Sequence, residues 1–480
     1  MLILMVLLAL AAISAGAYAM GRRKARAASA GAAGRPHSLP GYHGAYVALW
    51  TGLPAAILLF AFVAFGGRIE YALISAEPPP ASAGITAERM ATYYGDVQSV
   101  ANGQSTSAVV YEGPAKTAFE AAVAHARSTD TLARLLAAAA ALVLAIGGFL
   151  LAFPKLSKDF RARNRVEGLT SAILIVCSVV AVMTTLGIVM SLLYESLRFF
   201  QAVSPLSFLF GTDWDPQIAM RTDQVMTHGA FGAIPLFAGT FLIMIIAMAV
   251  AAPVGLYSAI YLAEYAGRTT RAVVKPALEI LAGVPTVVYG FFAALTVGPL
   301  FRSGFNALGA QLVGGPLNDL GLYLGQVQNQ MALVAGAVMG IMLIPFVSSL
   351  SDDIINAVPQ ALRDGSYAMG ATKSETIKRV ILPAALPGVV AALLLAMSRA
   401  IGETMIVTLA AGLQAKLTAN PLDTVTTVTV QIVTLLTGDT EFDNPKTLAA
   451  FGLGLTLFAI TLVLNIIALR IVQKYREQYD

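Results

Sequence analysis

Residues Val358–Pro383 read V-P-Q-A-L-R-D-G-S-Y-A-M-G-A-T-K-S-E-T-I-K-R-V-I-L-P. Pro359 suits the first turn of a helix, where its missing N–H has no intrahelical partner to lose. An amphipathic helix is expected through Met369, a break at Gly370, a second helix over Ser374–Ile381, and the next membrane helix from Pro383. Two short helices joined by a glycine make a compact lever along a membrane surface. A soluble partner gripping that lever can pass force into the spans on either side.

What lies on either side is apolar. Of the 480 residues, 57% are hydrophobic and 12% charged, about half the ~25% charge of a soluble domain. Too little charge remains to solvate such a surface, so much of the exterior faces lipid. Apolar runs predict nine membrane helices, at Leu2–Met20, Tyr46–Phe65, Leu132–Phe153, Leu169–Leu193, Ile234–Ile260, Leu278–Leu300, Met331–Leu350, Val389–Ala411 and Ala449–Ile471. The runs show no period-2 alternation, so helices rather than strands are expected. The fold class is an all-α polytopic membrane protein, with a six-helix core behind an N-terminal three-helix extension.

Basic residues set the orientation. They cluster at Arg22–Arg26, Lys155–Arg165, Arg268–Lys275, Arg363–Arg379, and Lys474 with Arg476. If nine spans alternate, all five clusters share one side, placing the N-terminus outside and the C-terminus in the cytoplasm. No positive charge precedes the first span and a basic cluster follows it, the reverse of a secretory leader, so a retained anchor is expected.

Residues 1–166 form the extension, with an outside loop over 67–134 that holds a turn at Pro78–Pro80 and an amphipathic helix around Pro114–Ala126. That loop carries no catalytic constellation, and a packing or partner-contact role is expected. Residues 167–480 form the second domain. Its outside loops, near Arg198–Phe231, Phe301–Gln330 and Leu413–Lys446, carry Asp213, Asp215, Asp223, Asp319, Asp423, Asp439, Glu441 and Asp443.

Cys177 lies in an apolar run and is expected to be a buried small hydrophobe. Four scattered histidines lack metal-ligand spacing, and no G-x-x-x-x-G-K-[ST] is present to hold a nucleotide. No metal, cofactor, catalytic residue or nucleic-acid partner is therefore expected. Gly283, Gly290, Gly336 and Gly340 are expected at close helix contacts. Glu264 and Glu279, flanking a basic loop, are expected as interface or loop pairing partners, and Asn465 as an interhelical hydrogen-bonding residue.

Span eight contains Ser398-Arg399-Ala400-Ile401-Gly402-Glu403-Thr404-Met405. Arg399 and Glu403 are four residues apart, which puts them on one face of a continuous helix. A charge at membrane depth costs about 2.5–3.5 kcal/mol on insertion scales. One explanation is a mutually neutralising ion pair; the other is the lining of a hydrated path, with Ser398 and Thr404 beside it. The arginine fork suits bidentate contacts to a tetrahedral oxyanion, and Glu403 keeps the site from becoming a cationic trap. This alone does not separate phosphate from sulfate.

The loop at Val358–Pro383 resembles the EAA motif of ABC importer permeases, whose pattern is E-A-A, three residues, G, nine residues, I-x-L-P. Asp364, Gly365 and Ser366 stand in the E-A-A positions, Gly370 matches the glycine, and Val380, Leu382 and Pro383 match I-x-L-P. The R-A-x-G-E-T string that follows is similar to phosphate-specific permeases. Phe208–Pro216, Phe231–Thr240, Ile260–Tyr265 and Glu279–Phe292 resemble the PstC family in particular, over about Gly168–Asp480.

The resemblance implies an importer permease of the bacterial inner membrane that carries inorganic phosphate. It implies a PstA-like sister permease, a PstB-like ATPase dimer seated on the loop, and a periplasmic phosphate-binding protein on the outside loops. ATP is then hydrolysed on the partner and the chain itself is not an enzyme. A PstA-type subunit, a permease for molybdate or sulfate, and a channel or structural membrane protein are the other readings; a membrane-embedded enzyme is disfavoured by the lack of any catalytic constellation.

Overall fold

The computed structural model of the chain describes residues 2–30, 37–76, 89–103, 112–157, 159–216, 229–437 and 444–476. Among the described residues, nine helical segments are long and apolar enough to cross a membrane, as many as the apolar runs predict. The only sheet among them has two short strands. The chain is a multi-pass, almost entirely helical membrane protein with two compact units, Met1–Met183 and Thr184–Asp480.

In the first unit, α1 (Leu2–Ala30), α2 (Pro40–Ala76) and α4 (Pro114–Ala152) pack side by side. Their contact surface is built on small residues, Ala55, Ala138, Ala141 and Ala145, with Leu10 and Leu59 between them. Between apolar helices in lipid, close backbone approach replaces the hydrophobic effect as the source of packing. At Gly148 the approach is closest: a Cβ there would stand 1.9 Å from the Trp50 carbonyl oxygen. Helix α3 (Met90–Ala101) lays Tyr93, Tyr94 and Val97 against Phe119, Val123 and Ile74.

Within 67–134, the outside loop expected to hold an amphipathic helix, most of the described residues are helical. Helix α2 runs on past Phe65 to Ala76, and the amphipathic segment at Pro114–Ala126 is the first part of α4. An apolar run ends where the lipid ends, but the helix continues beyond it. The turn expected at Pro78–Pro80 and the acids Asp223, Asp439, Glu441 and Asp443 lie outside the described residues.

Helix α5 (Ala162–Ala202) carries the chain from one unit into the other. Cys177 is exposed on it, among the equally exposed Leu174, Ile175 and Val176, so the expectation of a buried cysteine is corrected. Hydropathy cannot tell a core-facing position from a lipid-facing one, and this helix shows its apolar surface to the bilayer.

The second unit opens with α6 (Pro205–Phe210), β1 (Trp214–Asp215) and β2 (Ala230–Phe231), the strands pairing antiparallel with Trp214 opposite Phe231. Phe199, Phe208 and Phe231 are buried together in edge-on contacts. Helix α7 (Ile234–Ile260) continues through a π turn at Tyr261–Tyr265. Helix α8 (Arg268–Ala282) follows, amphipathic and with no residue buried in this chain. The next span is α9 (Thr286–Phe292), a π turn at Ala293–Val297 and α10 (Gly298–Leu312), after which comes the short α11 (Asn318–Gly325). The span therefore starts at Thr286 and not at Leu278 as expected. Gly283 closes α8 and Pro285 begins a new helix, whose ring cannot continue the old one.

Helix α12 (Ala332–Ala357) is the most enclosed span of the chain. It lies against α7 across glycines: a Cβ on Gly336 would meet Ile246 at 2.6 Å, and one on Gly340 the Ala247 carbonyl at 2.8 Å. Gly290 meets Met405 in the same way, whereas Gly283 caps a helix instead. At the start of α12 the backbone N–H groups of Met331, Ala332 and Leu333 donate to the carbonyls of Ala410, Asp423 and Pro421. These bonds satisfy donors that a helix start leaves unpaired.

The chain then forms α13 (Gln360–Ala368) and α14 (Lys373–Thr376), and a π turn at Ile377–Ile381 runs into α15 (Leu382–Ile401). Helices α16 (Met405–Ala410), α17 (Val428–Leu436) and α18 (Pro445–Arg476) complete the unit. The Trp214 indole N–H donates to Gln431 Oε1 at 3.1 Å, tying the strand pair to α17.

Candidate functional site: a surface elbow and a charged cavity

The elbow is α13, a turn, and α14 with its π extension. Gly370 makes the turn at φ +84, a left-handed conformation that glycine adopts without steric cost. Thr372 and Glu375 close a capping box on the next helix, each side chain bonding the other's backbone. The Thr372 N–H holds the Glu375 carboxyl below its ordinary pKa. Ser366 Oγ and Thr376 Oγ1, 2.8 Å apart, fasten the two arms together.

Beneath the elbow, the buried guanidinium of Arg363 pairs with Glu264 and donates to the Ile355 carbonyl at 2.6 Å. Glu264 is thus a pairing partner, as the sequence leads one to expect. Removing one member of a buried pair strands the other charge and costs about 3–5 kcal/mol. Glu264→Gln is expected to lower the midpoint of thermal unfolding in detergent, and Glu264→Gln with Arg363→Met to recover much of the loss; an unchanged midpoint in the single variant would mean that the pair does not hold the elbow.

The outward surface of the elbow carries Asp364 and Gly365 beside the exposed Leu362, Tyr367 and Met369, the last 88% exposed. Ser366 is half-buried at the joint. Leu382 and Pro383 form the first turn of α15, so the motif spans both arms and the root of a membrane helix.

Behind the elbow lies a cavity of about 260 Å³ bounded by α8, α12, α15 and the π turn after α7. This is far above the ~15 Å³ that one water needs. Its charged lining is Lys275, Glu279, Asp352 and Arg399, with Phe346 and Ser348 between them. Asp352, 4% exposed, accepts from Arg271 at 3.1 Å, Lys275 at 2.9 Å and Asn356 at 2.9 Å. The bond to Asp352 raises the Lys275 pKa above its ordinary value. Two of the nearby cations are therefore committed to one carboxylate.

Arg399 is placed differently. Its guanidinium lies over the Phe346 ring, 5.3 Å from the centroid. Phe346 lies on α12 four residues before Leu350, where the apolar run ends. A cation–π contact contributes about 0.5–2 kcal/mol, less than the ~2.5–3.5 kcal/mol cost of a charge at the centre of a bilayer. Arg399 is exposed in this chain, with the cavity and its Glu279 carboxylate beside it.

The other expected pathway residues do not line this cavity. Helix α15 ends at Ile401, and Gly402, Glu403 and Thr404 lie in the break before α16. The expectation that Arg399 and Glu403 share one continuous helical face is thereby corrected, since Gly402 closes the helix between them. No ion pair joins the two among the described residues. Glu403 is half-buried and its carbonyl accepts from Thr429 Oγ1 at 2.9 Å. Thr404 Oγ1 donates to the Gly402 carbonyl, and Ser398 is half-buried on α15.

Asn465 is also unlike its expectation: its Oδ1 is buried in α18 without a hydrogen-bond partner among the described residues. Sequence reasoning missed Phe346, Asp352, Arg271 and Lys275 as parts of the site. The only local signal was Asp352 at the end of an apolar span; its two cations come from another helix.

Residues 251–477 match the model for binding-protein-dependent transport system inner membrane components, and residues 7–184 that for a phosphate ATP-binding cassette transporter. The chain is 32% identical over 308 residues to the probable ABC transporter permease YqgH of Bacillus subtilis, covering 64% of this chain and 90% of that one. It is 30% identical to the phosphate transport system permease PstC of Mesorhizobium japonicum, over 59% of this chain and 82% of the other. With PstC of Haemophilus influenzae it shares 31% identity, over 59% and 85%. Among solved structures it is similar to the MetNI methionine ABC transporter in inward-facing form, at 16% identity and a TM-score of 0.32, over 51% of this chain and 94% of that one.

Proposed function

Because this chain belongs to the PstC-type family of ABC-transporter permeases, we propose that it forms the membrane path of an ATP-driven phosphate importer and that Arg399 is where the anion is held. Membership of this permease family implies an ATPase and a substrate-binding protein as partners. The finer assignment is a PstA-like sister permease, a PstB-like ATPase dimer on the elbow, and a phosphate-binding protein on the side opposite the elbow. ATP hydrolysis takes place on the ATPase, and the chain contributes no catalytic group. The elbow is assigned to the cytoplasm and the N-terminus to the periplasm, with 1–166 as extension and 167–480 as permease domain.

The observation that carries this reading is the cavity with Arg399 in its lining. Asp352 occupies Arg271 and Lys275, so Arg399 is the lining cation left for an anion. Lys275 and Arg399 are balanced by Glu279 and Asp352, and such a neutral lining binds an oxyanion briefly without trapping it. Asp364, Gly365, Ser366 and Gly370 give the ATPase its seat, and Leu382 with Pro383 passes its movement to α15, which carries Arg399. Glu403, Thr404 and Ser398 are assigned to the path just beyond the cavity. Affinity purification of the chain from its native membrane is expected to bring down a second permease and an ATPase. Recovery of the chain alone, from membranes that contain both, would count against the assignment.

A further inference from the structure

The first unit holds a cavity of about 260 Å³ at the end of the α1, α2 and α4 bundle remote from Arg22 and Arg26. Its lining divides into an apolar half, Ile3, Phe62 and Val63, and a charged half, Glu70, Asp130 and Arg134. The apolar half belongs to the membrane-spanning parts of α1 and α2, and the charged half to the segments that leave the bilayer. The cavity therefore straddles a membrane boundary.

The carboxylate of Glu70 is held in place on one side only. Its Oε2 accepts from Gln98 Nε2 at 3.2 Å and from Asn102 Nδ2 at 3.4 Å. Its Oε1 is shielded from solvent and has no hydrogen-bond partner among the described residues, a costly state for a carboxylate oxygen. Asp130 is engaged by Arg134 Nε at 2.7 Å, which leaves the terminal guanidinium nitrogens outside that pair. Two carboxylates against one guanidinium give the lining an excess negative charge. The opposite end of the same bundle has a cavity lined by Arg22 and Arg26 with no acid, so the two ends differ in sign.

We propose that the outer cavity binds the head of a zwitterionic aminophospholipid of the phosphatidylethanolamine type. The ammonium donates to the Glu70 carboxylate, the phosphodiester accepts from Arg134, and an acyl chain follows Phe62 and Val63 into the bilayer. An ammonium with N–H donors can hydrogen-bond a lining carboxylate, whereas a quaternary choline head cannot. An anionic phosphatidylglycerol head meets the excess negative charge and is disfavoured. This gives the three-helix extension a lipid-binding role that does not depend on the transport reading.

The test is retention of lipid by the purified full-length chain in nanodiscs of equal phosphatidylethanolamine, phosphatidylcholine and phosphatidylglycerol, measured by native mass spectrometry after delipidation. Phosphatidylethanolamine is expected to be retained about tenfold over phosphatidylcholine, the worth of one charge-assisted hydrogen bond, with phosphatidylglycerol lowest. Glu70→Gln is expected to abolish the preference for phosphatidylethanolamine. Equal retention of ethanolamine and choline lipids by the unaltered chain would overturn the proposal whether or not the variant folds. So would preferential retention of phosphatidylglycerol, or an unchanged preference in a folded Glu70→Gln chain.

Discussion

Arg399→Gln is expected to lower phosphate uptake at least about 100-fold, because a bidentate guanidinium–oxyanion contact comprises two charge-assisted hydrogen bonds of about 1.5–3 kcal/mol each. Glutamine keeps the length and some donor capacity but removes the charge. Arg399→Lys is expected to fall between, since an ammonium supplies the charge without the planar fork. Assembly with the ATPase should be unaffected in both variants. Arg399 stands about 26 Å along α15 from Leu382 at about 1.5 Å per residue, well away from the elbow surface. Its known contact, the Phe346 ring, contributes little to folding beyond the ~0.5–2 kcal/mol of a cation–π pair. Uptake of labelled phosphate in cells, normalised to the assembled complex, measures the effect. Unchanged uptake would reduce Arg399 to a structural charge.

The second large effect is expected at Gly370. Its surroundings are open, with nothing within 4 Å of an added Cβ, so a substitution there acts through the backbone and not through a clash. Proline fixes φ near −65° and cannot adopt the observed +84. Gly370→Pro must therefore redirect one arm of the elbow and separate Ser366 from Thr376, with loss of both ATPase co-purification and uptake. Gly370→Ala pays only the left-handed cost of about 1–2 kcal/mol and is expected to weaken co-purification partially. Normal recovery of the ATPase and normal uptake in the proline variant would show that the ATPase seats elsewhere.

These two sites were unequally legible in the sequence. The elbow is encoded locally: Pro359, Gly370 and Pro383 each mark a break within a stretch short enough to be interpreted residue by residue. Its foundation is not local, because Arg363 meets Glu264 only after α7 and α12 have packed across their glycines. The membrane helices were visible as apolar runs. Their faces were not, as Cys177 shows: the same run is apolar toward lipid and toward protein. Within span eight the average hydropathy stayed high through Gly402, concealing the end of α15 that separates Arg399 from Glu403. The cavity needed Phe346 and Asp352 from α12 and Lys275 from α8, a grouping set by packing alone. Helix α2 outruns its apolar run, continuing from Phe65 to Ala76, because apolar content ends before helical structure does.

The measurement that bears most directly on the proposed function is phosphate uptake into proteoliposomes holding this permease, its sister subunit, the ATPase and the binding protein. Uptake is expected only with ATP on the elbow side, to be competed by arsenate, and to persist in excess sulfate or molybdate. ATP-independent uptake by this chain alone, or ATP-driven uptake abolished by sulfate or molybdate, would contradict its assignment as an ATP-coupled phosphate permease.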